Sequence, residues 1–269
     1  MRIYRMLLVF LVPIFSWAAE VITPPLLDLL KQMDVSHEGT LPSIVQATQK
    51  EWLRPTDKER WQVLDGQYRD KRELILTAAE KLGFIQEIFP EKKHYDYALV
   101  LGANTKTMEK RISHLVELYQ KGIRFDHVVL LTGARPLDPQ VDTLFEGCAT
   151  ESDAIHVQWR DANLPESMRS LPVMFVDTPM IKTAKGERRP NTTDTIVDWI
   201  SRSPKPGSCL VISNQPYVLY QGAVVRVVCP QFQVDTVGKA ARPEGLKSVD
   251  VLDSIAKWLY GENLIQGVK

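Results

Sequence analysis

A doubly wound, mostly parallel α/β sheet with a helical amino-terminal extension is the fold predicted, on three observations. Short, continuous apolar runs recur from Tyr95 onward, as strands buried on both faces require. Clusters of Gly, Thr, Ser, Asn or Asp follow these runs, and apolar residues at helical spacing come next. Strand–helix units repeated in this way need right-handed crossovers, which build a parallel sheet with helices on both faces.

The elements follow in order. Arg2 and Arg5 precede an apolar run from Met6 to Phe15, and Ser16, Trp17, Ala18 and Ala19 then lead to Glu20. That is the pattern of a secretion signal over residues 1–19, cleaved near Ala18 or Ala19. The alternative is an anchor retained in the membrane, but Met6 to Ala19 falls short of the roughly 20 residues a spanning helix needs. The expected location is therefore periplasmic or secreted. Residues 20–94 read as helical: Leu26, Leu29, Leu30 and Met33 share one face behind Pro24 and Pro25. Residues 36–55 read as loops with one short helix. Thr56 with Glu59 suggests a capping box opening a long helix through Trp61, Leu64, Tyr68, Leu74, Leu76 and Ala79, closed near Gly83.

Within residues 95–269 the expected strands are Tyr97–Leu101, His127–Leu131, Val173–Val176, Leu210–Ser213 and Phe232–Val237. Expected helices cover Thr107–Gln120, Thr150–Trp159, Thr193–Ile200 and Val249–Tyr260, with Leu219–Val228 a helix or helix-to-strand segment. Strand order is not legible from one sequence.

Composition narrows the function. Lys and Arg number 33, as do Asp and Glu, so no net field draws the chain to nucleic acid. Cys148, Cys209 and Cys229 are odd in number, so at least one thiol is free, and whether two are bridged is open. No Cys-x-x-Cys pair occurs and the five histidines lack metal-ligand spacing. The residues themselves identify no cofactor.

In such sheets ligands bind beyond the carboxyl ends of the strands, where the strand order reverses. Those ends carry Gly102, Ala103, Asn104 and Thr105; Thr132, Gly133, Ala134 and Arg135; Asp177 and Thr178; and Ser213, Asn214 and Gln215. Backbone amides at glycine turns and helix starts are anion donors, so a phosphate or carboxylate suits the lining. Turn formation alone also explains these residues. Neither a dinucleotide Gly-x-Gly-x-x-Gly nor a Walker lysine is present. Asn191, Thr192, Asp194 and Thr195 open a helix and serve either as its cap or as ligand donors. Arg111 either reaches over the first loop to an anion or pairs with Glu109 or Glu117. Glu151 is the candidate base, although its place in a first helical turn is also favourable electrostatically. Ser213 lacks the frame of a nucleophile elbow.

Together, Tyr97–Ala103, Arg111, Leu130–Ala134, Thr150–Ala154, Asn191–Thr195 and Val211–Ser213 resemble the Rossmann-like envelope proteins typified by SanA, YdcF and ElyC. The resemblance covers about Tyr95 to Tyr260. It departs where that family carries His and Arg after the last of these strands, since Tyr217 and Tyr220 stand there, and where Ala134 replaces a glycine. The resemblance implies envelope localisation, a role in surface-barrier, peptidoglycan or lipid-carrier homeostasis and, in one branch, binding of S-adenosylmethionine. The expected function is a strand-end pocket for an anionic phosphate- or nucleotide-bearing small molecule, which it either only binds or also acts on. The alternatives are a non-enzymatic interaction module, docking an envelope partner through its amino-terminal helices, and an S-adenosylmethionine binder.

Overall fold

The computed structural model describes residues 21–55, 58–184 and 186–267; the expected signal segment, its cleavage position and Thr56 lie outside them. Helices α1 (Pro24–Gln32), α2 (Leu41–Glu51) and α3 (Arg72–Lys81) precede strand β1 (His94–Leu101) and helix α4 (Thr105–Gln120). Then come β2 (Arg124–Gly133), α5 (Glu151–Asp161), α6 (Glu166–Arg169), β3 (Val173–Thr178) and the short β4 (Ile181–Thr183) and β5 (Gly186–Arg188). Helix α7 (Thr192–Ser201), β6 (Ser208–Asn214), α8 (Val218–Val228), β7 (Gln233–Lys239) and α9 (Ser248–Gly267) complete the chain.

Five strands form one parallel sheet in the order β3-β2-β1-β6-β7. The fold is therefore α/β, Rossmann-like and doubly wound. The chain builds outward from β1 through β2 to β3, then returns to place β6 on the other side of β1. The order reverses between β1 and β6. Period-two alternation explains the two helical layers. Ala98 and Val100 pack with Met108 and Ile112 of α4 and Ile155 of α5, whereas Leu99 and Leu101 pack with Ile196 and Trp199 of α7 and Val225 of α8. Three side chains cap helices after strands: Asn104 for α4, Thr150 for α5 and Asn191 for α7.

The amino-terminal helices share a core with α9. Leu26, Leu29 and Leu30 of α1, Ile44 of α2 and Ile75 of α3 join Val251, Leu252, Ile255 and Leu259 in one buried cluster. Several expectations need correction here. Among the described residues no continuous helix runs from 58 to 83; 3-10 turns at Arg60–Gln62 and Gly66–Lys71 come before α3. The Lys247 ammonium donates to the carbonyls of Arg60 and Val63, and Asp65 accepts from the Val249 amide, so tertiary partners replace the helical ladder. Helix α2 is longer than the short helix expected, with Pro42 in its first turn and Thr40 as cap. Segment 218–228 is helical throughout, α9 continues to Gly267, and β4 with β5 forms an antiparallel hairpin that the apolar pattern does not announce. All three cysteines are free. Among the described residues no helix is long and apolar enough to cross a membrane.

His114 is buried on α4 with both ring nitrogens unpartnered, and burial pushes its pKa down from 6.5 to about 4. Between those values the unfolded chain takes up a proton that the folded chain refuses, so stability falls on acidification. Denaturant unfolding at pH 7 and pH 5 should show a loss of about 2 kcal/mol from this residue, a slope that His114→Leu removes.

Candidate functional site

Beyond the carboxyl ends of β1 and β6, at the reversal of strand order, lies a cleft of about 680 Å³. That is within the size range of small-molecule sites. Gly102, Ala103 and Asn104 enter it from β1, Gly133 and Arg135 from β2, and residues 189–193 from the turn into α7. Tyr217, Tyr220 and Gln221 come from the start of α8, and Lys247, Asp250, Lys257 and Tyr260 from α9 and its approach. Arg54, Glu59, Arg60 and Trp61 close it from the amino-terminal region.

Arg111 forms the floor and is 2% exposed. Its Nη1 donates to the carbonyls of Leu101 (2.6 Å) and Gly102 (3.1 Å). Nε and Nη2 both donate to Asn214 Oδ1, at 2.9 and 2.7 Å, and Nη2 also donates to Gln221 Oε1 at 3.2 Å. Every donor of the guanidinium is thus spent, and every acceptor is neutral. This corrects both sequence expectations: Arg111 does not reach freely over the loop, and it pairs with neither Glu109 nor Glu117. Burial without a carboxylate partner pushes it down to about 10.

Arg135 forms one wall. It pairs with Asp142 (2.6 Å) and Glu151 (2.8 Å), and its guanidinium carbon lies 5.6 Å from the centre of the Trp61 ring. Asp142 also accepts from the Thr105 amide at 2.9 Å, so an internal carboxylate already occupies the amino terminus of α4. Glu151 lines the cleft, and burial pushes its pKa up against the opposing pull of Arg135. Burial likewise raises Asp250 against Arg60 and Lys247.

At α7, Asn191 Oδ1 accepts from the Asp194 amide, and Asp194 accepts in return from the Asn191 amide. The amides of Thr192 and Thr193 begin the helix and have no intrahelical acceptor. The glycines have packing reasons. A Cβ on Gly102 would sit 2.6 Å from the Leu131 carbonyl oxygen, and one on Gly133 would sit 2.2 Å from Pro190 Cγ.

Of the residues expected at the site, Gly102, Ala103, Asn104, Arg111, Gly133, Glu151, Asn191, Thr192 and Thr195 line the cleft. The others turn elsewhere. Thr105 is bound into the 137–149 loop through the Thr143 amide, and Thr132 bonds Asp177 and Ser152. Asp194 pairs with Arg188 at 2.6 Å. Ser213 donates to Gln221, while Asn214 is consumed by Arg111. Gln215 donates to the carbonyls of Gly83 and Gln86, which ties the strand end to the amino-terminal region. The sequence reading missed Arg54, Arg60, Trp61, Lys247, Asp250 and Lys257 as lining residues. Tyr217 and Tyr220 are accompanied by a cation after all: Arg60 lies 4.2 and 5.8 Å from their ring centres and pairs with Asp253 at 3.3 Å. Seven cationic side chains and three carboxylates line the cleft, with Asp142 and Asp253 behind its walls. Among the described residues no cluster of His, Cys, Asp or Glu has the arrangement of a metal site.

No family model and no solved structure matches the chain. It is similar to the uncharacterized protein Mb3814 of Mycobacterium bovis and the uncharacterized protein Rv3785 of Mycobacterium tuberculosis, each 25% identical over 217 residues. Those matches cover 67% of this chain, which spans 60% of the length of each relative.

Removing Arg111 leaves Asn214, Gln221 and two backbone carbonyls short of donors. Arg111→Met should cost at least about 2 kcal/mol in denaturant unfolding, and Arg111→Lys, which keeps the charge without the planar fork, should restore only part of it.

Proposed function

We propose that the cleft binds a phosphate-bearing small molecule in the cell envelope. The observation that carries this reading is the charge on Arg111: a buried guanidinium with only neutral acceptors, on the floor of an open cleft. Buried charges are normally paired, because an isolated one loses its hydration without compensation. An anion over the floor supplies the missing countercharge. Because all the Arg111 donors are engaged, its attraction acts through space. Direct hydrogen bonds come from the Thr192 and Thr193 amides at the start of α7, where the helix dipole adds to the attraction.

The remainder of the ligand extends toward Tyr217, Tyr220 and Tyr260, whose rings offer an apolar or stacking surface. Binding is the core of the reading. Glu151 and Asp250 are the carboxyls available for proton transfer if the bound molecule reacts, and burial favours the protonated form of each. Export and a role in envelope homeostasis come from the amino-terminal pattern and the family resemblance of the sequence.

A thermal-shift screen against orthophosphate, nucleotides, sugar phosphates, polyprenyl phosphates and S-adenosylmethionine tests the proposal. Phosphate-bearing molecules should raise Tm, with a shift that shrinks as salt is added. No shift by any phosphate-bearing compound rejects phosphate binding, and a response to S-adenosylmethionine alone selects that cofactor.

A further inference from the structure

Glu59 sits among arginines drawn from two distant parts of the chain. Its Oε2 lies 2.8 Å from Arg189 Nη2 and 4.0 Å from Arg54 Nη1. The shorter contact is an ion pair without the alignment of a hydrogen bond; Arg54 Nη1 donates to the Lys58 carbonyl, and Arg54 Nε has no partner. Burial pushes the Arg189 guanidinium down despite Glu59, and Arg54 and Arg135 add repulsion. The cations therefore exceed what this carboxylate neutralises. Arg189 also precedes, by two residues, the Asn191 cap of α7, so the cluster adjoins the amides offered to the first phosphate.

The two carboxylates behind the walls of the cleft behave differently. Asp142 and Asp253 have side chains 0% and 1% exposed, and each is held by several donors. The Glu59 side chain is 28% exposed, whereas its Oε2, the oxygen facing the arginines, is buried without a hydrogen bond. Of these three, it is the one that a solvent-borne anion can replace without leaving a buried group unpaired.

We propose that Glu59 occupies a second anion subsite of the cleft, formed by Arg54 and Arg189, and that a ligand with two linked phosphoryl groups displaces it. This rests on the phosphate-binding reading above and narrows the ligand class to diphosphates and their esters. One phosphoryl group lies at the start of α7 over Arg111. The next lies between Arg54 and Arg189, with Glu59 turned out to water. The exchange replaces a misaligned internal pair with charge-assisted hydrogen bonds from two guanidinium groups.

Isothermal titration calorimetry of the full chain with inorganic pyrophosphate and with orthophosphate tests this through the ratio of the two affinities. Pyrophosphate should bind more tightly than orthophosphate. Glu59→Gln, which keeps the backbone bond to Gln62, should widen that preference by about threefold or more, since a competing partly exposed ion pair is removed. Arg189→Gln and Arg54→Gln should each narrow it, with circular dichroism and Tm confirming that the variants are folded. An unchanged or smaller preference in Glu59→Gln, or full retention in folded arginine variants, overturns the second subsite. In that case orthophosphate binding leaves the first reading standing. Absence of binding of either anion to every folded form overturns both.

Discussion

Arg111 joins the two halves of the sheet at the place where their order reverses. The carbonyls of Leu101 and Gly102 mark the end of β1, Asn214 marks the end of β6, and Gln221 lies one turn into α8. Only a planar group with several fixed donors can bind all of these from α4 at once, and a lysine ammonium lacks both the reach and the number of donors. The bond set ties both central strands, the first crossover helix and α8 to a common origin. It also leaves a positive charge in a low-dielectric floor, where its attraction for an incoming anion is stronger than at the surface.

The remaining walls depend on that floor and on carboxylates placed around it. Asp142 takes the amino terminus of α4 and anchors Arg135, so the 137–149 loop closes one anion position from within the protein. The start of α7 has no such internal carboxylate on its first amides, because Asp194 turns back to the cap and to Arg188. On the opposite side Asp253, nearly inaccessible on α9, holds both Arg60 and Lys257. The amino-terminal segment can contribute to the cleft because its helices share their apolar core with α9. Packing far from the cleft thus decides which cations reach its rim.

The central strands β1, β2 and β6 were legible because each is apolar on both faces, a signal that survives without knowledge of partners, whereas Gln233, Asp235 and Thr236 interleave the apolar residues of the edge strand β7. The strand-end loops were legible because turn residues follow the apolar runs, as was the capped start of the helix at Asn191. The roles of side chains in those loops were less so. Arg111 and Asn214 lie 103 residues apart, and neither residue announces the other in a single sequence. Arg54 lies in a stretch that reads as loop, Arg60 and Trp61 in one that reads as plain helix, and they acquire meaning only through contacts with Asp253, Tyr217 and Arg135. The helix expected across 56–83 failed for a related reason. Side chains from the carboxyl-terminal segment took over its backbone partners, and tertiary bonding outweighed local propensity.

A charge whose donors are all engaged selects by sign, not by shape. Arg111 attracts any anion that enters, since none of its N–H groups remains to read the direction of a ligand oxygen. Discrimination must therefore come from groups nearer the mouth, whose geometry differs around the rim. The Thr192 and Thr193 amides have fixed directions set by the cap. The arginines of the amino-terminal side are held unevenly: Arg54 donates to the Lys58 carbonyl but lies 4.0 Å from Glu59, and Arg60 reaches Asp253 at 3.3 Å. The tyrosines of α8 and α9 present rings instead of charges. On the proposed reading, affinity for negative charge and choice among anions reside in different layers of the same cleft, and substitutions at the rim can alter the second without dismantling the bond set that joins β1 to β6.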